Sequence, residues 1–539
     1  MTYIEKYQEW LNSSFITKKE KEELLNMSNN EIKEAFSLDL EFGTAGIRGI
    51  MGLGTNRMNK YTISKVTEGL ANYLTKKKKN PVVVIAYDTR NNSKSYAKTA
   101  ALILNYHDIK TYIFNETAST PELSFAVTYL KADAGIVITS SHNASIYNGY
   151  KVYNNKGSQI VSPEDTDIIN EINQLTDLST IKQAELGNKL YNILTSEIRK
   201  EFIDENCKVL INKDIVEEYS KEVKITYTPL HGTGIRIAPK IFNKFKVQVN
   251  YVKEQFTEDG GFPFAKEPNP EYEENYNGAL KYAKENNSDV IIASDPDSDR
   301  IGLMIKTNDK YELINGNVIG ALFAYYLLEN KKNLKDKYIV RSIVTSNLID
   351  KIAKSHNVEI KECLTGCKNI ANLRNEDTKN YIFGYEESLG YMFDIKVNDK
   401  NAFSSIIFLI EILSYLKSID KTIYEYISEI YQKYGFYYHK TISLVYEGLD
   451  GMDKMNDIMS NLRDNNLFDE KDKIDYKNKR DRLKTNALKF ILDDNSYFMV
   501  RPSGTEPKIK IYIISFDTSM SKAKKRVNEI EKIIKEKVK

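Results

Sequence analysis

The sequence predicts an α/β protein assembled from several sheet-and-helix blocks, and three observations predict it. From Pro81 onward, short β-branched runs alternate with segments of helical spacing, a rhythm that implies βαβ units and a largely parallel sheet. The rhythm returns further along the chain without any exact repeat of sequence. At 539 residues, and about 150 residues per domain, there is room for roughly three to four domains.

Taken in order, the first forty residues, with TKKEKEELL and NNEIKEAF, read as short polar helices that carry no chemistry. Then come the strand VVVIA, the helix SKSYAKTAALILNY, the strand KTYIF, the helix ELSFAVTYLKA and the strand AGIVIT. The stretch from about 190 to 218 reads as helical and charged. KEVKITYTPLHGTG opens a second block, which SDVIIASDPDSDRIGLMI closes with two apolar runs around an acidic loop. A third begins near Asn315, with the helix GNVIGALFAYYLLEN, the strand YIVRSIVTS and the strand-to-loop segment NYIFGYEESLGYMF. The last runs from Gly435 through SYFMVRPSGTEPKIKIYIIS to a basic helix, KAKKRVNEIEKIIKEKV. The runs KKKK at 76–79 and KDKIDYKNKRDR read as solvated faces or loops.

Composition narrows the function. Lys and Arg number 77 against 75 Asp and Glu, a net charge of +2, which argues against nucleic acid as a partner. Hydrophobic residues make up 41%, with 37 Tyr and 21 Phe, which excludes wholesale disorder. Three Cys do not make a disulfide scaffold and point to a reducing compartment. No apolar run reaches the length of a membrane helix, and MTYIEKYQEW lacks the form of a secretion leader. The expectation is a cytoplasmic protein without a membrane partner, a monomer or homodimer.

Asp295-Pro296-Asp297-Ser298-Asp299-Arg300 carries the sharpest chemistry. In an extended segment, carboxylates at spacing two share a side and can converge on a hard cation. An EF-hand fails, because its sixth position would be Arg300 and its twelfth Lys306. Magnesium, completed by a phosphate, fits better. Thr139-Ser140-Ser141-His142-Asn143 follows an apolar strand, so its hydroxyls lie at a sheet edge where α/β proteins bind ligands. A serine there can act as nucleophile or carry a phosphoryl group, with His142 and Lys151 as proton or charge partners; the bland alternative is a serine turn.

Arg501-Pro502-Ser503-Gly504-Thr505-Glu506-Pro507-Lys508 joins a guanidinium fork, hydroxyls and a glycine, which suits a phosphate better than a plain hairpin requires. Gly384-Tyr385-Glu386-Glu387-Ser388 ends another strand and suits sugar hydroxyls, or is merely solvated. Gly43-Thr44-Ala45-Gly46-Ile47-Arg48-Gly49 reads as a flexible basic loop for an anion. His231-Gly232-Thr233-Gly234 is not a dinucleotide fingerprint, since Ile237 stands where the last Gly would be.

Together, TAGIRG, YNGYKVY, TPLHGTG, DPDSDR, GYEESLGYM and RPSGTEPKIK resemble the α-D-phosphohexomutase family, from about Gly43 to Lys510 and in the family's order. They look most like its longer phosphoglucomutase branch, which also contains phosphopentomutases and glucose-1,6-bisphosphate synthases. The resemblance implies a heart-shaped, four-domain architecture, with three similar mixed α/β domains and a C-terminal α+β domain, at 1–205, 206–311, 312–432 and 433–539. It implies that Ser141 is the phosphoserine, that Asp295, Asp297 and Asp299 hold Mg2+ against it, and that Arg48, His142, Lys151, Arg300 and Lys400 surround the reacting phosphate. Glu386 and Ser388 fall on sugar-reading positions, Arg501, Ser503, Gly504 and Thr505 on the loop for the phosphate that is not transferred, and Thr365 and Arg300 are further substrate-binding residues. The proton role stays open between Lys151 and Lys400.

The implied reaction interconverts glucose 1-phosphate and glucose 6-phosphate through glucose 1,6-bisphosphate, which is both intermediate and activator; mannose or pentose phosphates are the alternative substrates. A metal-dependent phosphatase or a phosphosugar-binding scaffold would use similar loops. There are departures from the family pattern. Ala144 replaces a common Pro, an expectation of a looser serine loop; Cys367 and Asn369 replace common aromatics; and Lys400-Asn401-Ala402 lacks a usual Gly.

Overall fold

The computed structural model describes residues 1–43, 46–308, 310–446, 451–466, 468–503 and 508–538. They form two compact units, residues 1–313 with 390–417, and residues 314–389 with 418–539.

The first unit opens with three short helices, Tyr3–Asn12, Lys18–Leu25 and Asn29–Phe36. Each starts at a capping box, Thr2 with Glu5, Thr17 with Glu20 and Ser28 with Glu31, so orphan amide donors are satisfied reciprocally. Their polar sequence is one face only. Trp10, Phe36, Tyr7 and Leu24 are buried together, with Trp10 and Phe36 edge to face at 5.6 Å.

The first sheet contains β1 (Gly46–Ile50), β2 (Val82–Tyr87), β3 (Lys110–Phe114), β4 (Ala134–Ile138), β5 (Tyr147–Asn154) and β6 (Tyr191–Leu194), in the order β1-β5-β4-β2-β3-β6. Strands β4, β2, β3 and β6 pair in parallel, while β5 runs antiparallel to both β4 and β1. The sheet is therefore mixed rather than largely parallel. Two expectations are corrected. Residues 191–194, read as helical, form β6, and helix begins only at Glu197. Arg48, read as part of a flexible loop, sits on β1 opposite Gly149; Thr44 and Ala45 lie outside the described residues.

The second sheet holds β7 (Lys224–Thr228), β8 (Gln248–Tyr251), β9 (Val290–Ser294), β10 (Ile301–Thr307) and β11 (Lys310–Ile314), in the order β11-β10-β9-β7-β8. The strands β9 and β10 are antiparallel neighbours with Ser294 opposite Ile301, so the acidic hexapeptide is the turn between them. The strand Gly390–Phe393 and the helix beginning at Ala402 complete this unit. That helix is apolar all round because it is buried all round. Among the described residues no single helix is long and apolar enough to cross a membrane.

In the second unit, β12 (Tyr338–Ser342) pairs in parallel with β13 (Glu359–Cys363) and β14 (Tyr381–Glu386). The helix Gly316–Asn330 lies where its sequence predicts. A separate antiparallel sheet follows, of strands Phe436–Val445, Lys508–Asp517, Tyr497–Pro502, Leu488–Ile491 and Asp472–Asp475 in spatial order. Asp472–Asp475 belongs to the run read as a solvated face or loop. Its charges suit the edge of a sheet, where they discourage further pairing.

Candidate active site

Strand β4 ends at Ile138, and the backbone leaves the sheet through Thr139-Ser140-Ser141. Ser141 adopts φ +52°, a left-handed conformation that turns its side chain out of the chain's run. Its amide donates to Thr139 Oγ1 at 2.8 Å, and its Oγ donates to Asp295 Oδ2 at 2.9 Å, a partner 154 residues away. The neighbouring Ser140 Oγ is buried without a hydrogen-bond partner among the described residues, so Ser141 is the serine delivered to the acidic turn. His142 Nδ1 stands 3.2 Å from the same Oγ. Burial, together with Arg300, Lys400 and Arg48, lowers the His142 pKa well below its usual value, which favours a neutral imidazole.

The serine loop is not loose at Ala144. Arg90, just past the end of β2, grips it with both terminal nitrogens. One donates to Ala144 O at 2.8 Å and Tyr147 O at 3.0 Å; the other donates to Ser141 O at 2.6 Å and Asn143 O at 2.5 Å. The buried Asp88 carboxylate lies 3.3 Å from Arg90 Nε, and the Phe262 ring is 4.9 Å from the guanidinium carbon. The sequence reading missed this clamp. Its signal is Asp88-Thr89-Arg90, a charged pair at the end of a buried strand. Arg90→Lys keeps the charge but loses the planar fork and strands several carbonyls. The expected result is about 3 kcal/mol of lost stability, read as a lower thermal midpoint, with slower phosphoryl transfer to Ser141.

In the acidic turn the carboxylates converge by a different route from the one alternation predicts. Ser298 has φ +51° and its amide bonds to Asp295 O at 2.9 Å, so the hexapeptide is a tight turn rather than extended chain. Asp295 Oδ1 accepts the amides of Asp299 and Arg300 at 3.1 and 3.0 Å. A buttress from the HGTG segment supports the turn: Thr233 N and Oγ1 both donate to Pro296 O, at 2.8 and 2.9 Å. Gly232 approaches so closely that a Cβ there would lie 2.3 Å from Pro296 Cα. The motif rejected as a dinucleotide site thus has a structural task.

All three carboxylates are buried, each with an oxygen within 4.8 Å of the others'. Asp297 Oδ1 and Asp299 Oδ1 have no hydrogen-bond partner among the described residues. Burial, then repulsion from Asp299 and Asp297, pushes the Asp295 carboxyl well above its usual range; burial, then Asp297, raises Asp299. Burial would raise Asp297 too, but Lys151 and Thr120 outweigh it and hold that carboxyl low. Such a set of buried oxygen donors with unused lone pairs fits a hard divalent cation.

Two lysines flank it. Lys151 Nζ, from β5, donates to Asp297 Oδ2 at 3.1 Å, and Lys400 Nζ lies 3.2 Å from Asp299 Oδ2. Burial lowers the Lys151 pKa, yet Asp297 and Asp299 more than compensate and raise it above its usual value. Arg300 Nε lies 3.7 Å from Asp299 Oδ1, and Arg48 Nη1 donates to Asn143 Oδ1 at 3.0 Å. Thr120, which the sequence reading also missed, donates from Oγ1 to Asp297 Oδ2 at 2.8 Å and from its amide to Asp297 O at 3.0 Å. It sits at the start of a capped helix, a place where Ser119-Thr120-Pro121 could have been noticed.

The remaining expected residues belong to the second unit. Glu386, at the end of β14, is buried and accepts the Gly366 amide at 2.6 Å. Ser388 is half-buried. The Arg501 guanidinium donates to Thr365 Oγ1, and the Ser503 amide bonds to Lys508 O at 2.8 Å across the base of the Arg501 loop. Gly504 and Thr505 lie outside the described residues.

Comparison with known proteins follows the same lines. Profiles of the phosphoglucomutase/phosphomannomutase alpha/beta/alpha domains I, II and III match residues 39–179, 200–308 and 315–434, and that of the C-terminal domain matches residues 455–536. A phosphoglucomutase of Staphylococcus haemolyticus is 37% identical over 503 residues, covering 89% of this chain and 91% of its own. Among solved structures, the fold resembles parafusin, a phosphoglucomutase from Paramecium in its open form, with TM-score 0.72 and 18% identity over 92% of this chain and 95% of that one. It also resembles Aspergillus fumigatus N-acetylphosphoglucosamine mutase in complex with GlcNAc-6P and magnesium, with TM-score 0.52 and 11% identity over 93% and 96% of the two chains. With four domain profiles in sequence and a relative this similar over nearly its whole length, the chain belongs to the phosphoglucomutase/phosphomannomutase family.

Proposed function

We propose that this protein is a phosphoglucomutase that interconverts glucose 1-phosphate and glucose 6-phosphate, with Ser141 as its phosphoryl carrier. One observation carries the reading: the Ser141 hydroxyl lies 2.9 Å from Asp295 in a cluster of three buried carboxylates flanked by two lysines. Curated relatives at 35–37% identity bear the same activity in their names.

In the proposed cycle, phosphorylated Ser141 gives its phosphoryl group to a free hydroxyl of the sugar monophosphate. The bond from phosphorus to Ser141 Oγ breaks, a bond to the sugar oxygen forms, and the hydroxyl proton passes to a nearby base. The bisphosphate turns over, the other phosphoryl returns to Ser141, and the proton is given back. Asp295, Asp297 and Asp299, with Ser141, are the residues that would hold magnesium. When bound there, the ion supplies charge neutralisation for the transferring group. Lys151, held cationic by Asp297, and Arg48, Arg300 and Lys400 add positive charge around the same place. Thr365, Glu386, Ser388 and the Arg501–Thr505 loop are assigned to the sugar and its second phosphate.

The test uses the purified protein with glucose 1-phosphate, with and without glucose 1,6-bisphosphate, following both glucose 6-phosphate and inorganic phosphate. Isomerisation that depends on magnesium and rises with the bisphosphate is the expected result. Stoichiometric phosphate release without bisphosphate activation would make the protein a phosphatase, and binding without either product would make it a scaffold. Running mannose and pentose phosphates beside glucose decides the sugar by kcat/KM.

A further inference from the structure

The two lysines of the site differ in how they reach it. Lys151 projects directly from β5, whereas Lys400 lies on the loop between the strand Gly390–Phe393 and the helix that begins at Ala402. A lysine has a long flexible stem, so a loop lysine needs a device that aims it.

Three contacts supply that device. Asp399, almost wholly buried, accepts the Lys400 amide on Oδ1 at 2.7 Å. On Oδ2 it accepts the Tyr153 hydroxyl at 2.6 Å and Gln159 Nε2 at 3.1 Å. Beneath the lysine stem is Gly390, where a Cβ would lie 2.0 Å from Lys400 Cδ and 2.7 Å from Cγ. On either side the loop is pinned as well, by Asn398 N to Ser124 Oγ at 2.8 Å and by Ala402 N to Ser298 O at 3.1 Å. The second acceptor, the Ser298 carbonyl, belongs to the acidic turn itself.

Tyr153 stands two residues after Lys151 on β5, so both side chains project from one face of one strand. Lys151 meets Asp297 at 3.1 Å. Tyr153 meets Asp399, whose neighbour Lys400 meets Asp299 at 3.2 Å. We propose that Tyr153 is a positioning residue for Lys400, acting through Asp399, so that one face of β5 sets both flanking lysines against the acidic turn. The inference rests on the mutase reading above and adds to it a residue outside the acidic turn and its two flanking lysines.

Tyr153→Phe removes only the hydroxyl and leaves the buried ring. With glucose 1-phosphate and saturating glucose 1,6-bisphosphate, kcat is expected to fall roughly tenfold while KM stays within about twofold, as when a hydrogen bond to a charged group that orients a transition-state contact is lost. The decisive readout is a double-mutant cycle with Lys400→Met, followed by single-turnover transfer from the phosphorylated enzyme. If Tyr153 acts through Lys400, removing the hydroxyl causes no further loss once the lysine is gone. Gly390→Ala is the second variant, since its methyl displaces a flexible stem rather than backbone; it too is expected to lower kcat more than it raises KM, and to lose its effect beside Lys400→Met. Equal losses with and without Lys400, or an unchanged kcat in folded Tyr153→Phe and Gly390→Ala, would overturn the proposal. A wild-type protein that does not isomerise the sugar phosphate at all would overturn the mutase reading, and this inference with it.

Discussion

Ser141→Ala is expected to lower kcat by at least about 10⁴-fold, because the covalent carrier has no substitute. Ser140, the adjacent hydroxyl, is buried without a hydrogen-bond partner among the described residues, whereas it is Ser141 Oγ that bonds to Asp295. The fold should hardly notice. The change deletes two hydrogen bonds, one with the neighbouring His142 Nδ1 and one to a carboxylate that burial and its acidic neighbours already push toward protonation, while Arg90 continues to hold the loop by its main chain. The thermal midpoint should therefore stay close to that of the wild type, and labelled phosphate from glucose 1,6-bisphosphate should no longer appear on the protein. Turnover within tenfold of wild type would rule out the carrier role.

The second large effect is expected at Asp297, where two variants separate charge from packing. Asp297→Asn keeps a carbonyl oxygen for the Thr120 hydroxyl but removes the negative charge. The magnesium concentration for half-activation should rise at least about 100-fold. Asp297→Ala also strips Thr120 and Lys151 of their shared partner. Because Asp297 is wholly buried and the lysine largely so, the alanine variant should lose in addition about 2 kcal/mol or more of stability, measured as a lower thermal midpoint without metal. Full activity at ordinary magnesium in Asp297→Asn would remove the residue from the ligand set.

Much of this site is legible in the linear sequence, and the parts that are not share a cause. Three carboxylates at spacing two announce a cation site because like charges so close need a counter-charge. A hydroxyl just past an apolar strand announces a sheet-edge ligand site because that is where a parallel strand delivers its chain end. Both readings use residues within a few positions of each other. Arg90 and Thr120 escape such a reading, since each matters through partners far along the chain: Arg90 through Ser141 and Asn143 more than 50 residues away, Thr120 through Asp297. Likewise β6 looked helical, because a short edge strand leaves no clear alternation, and only pairing with β3 defines it.

By itself, then, the order of residues determined the kind of chemistry, the alternating strands and helices, and the family, because those depend on local propensity, periodicity and short motifs. Tertiary packing decided which of two adjacent serines bonds to Asp295, that the acidic loop closes as a tight turn rather than an extended run, and how a loop lysine is aimed. These are choices of direction, and direction at a point in the fold is set by the contacts that distant segments make there, such as a guanidinium over four carbonyls or a tyrosine hydroxyl on Asp399.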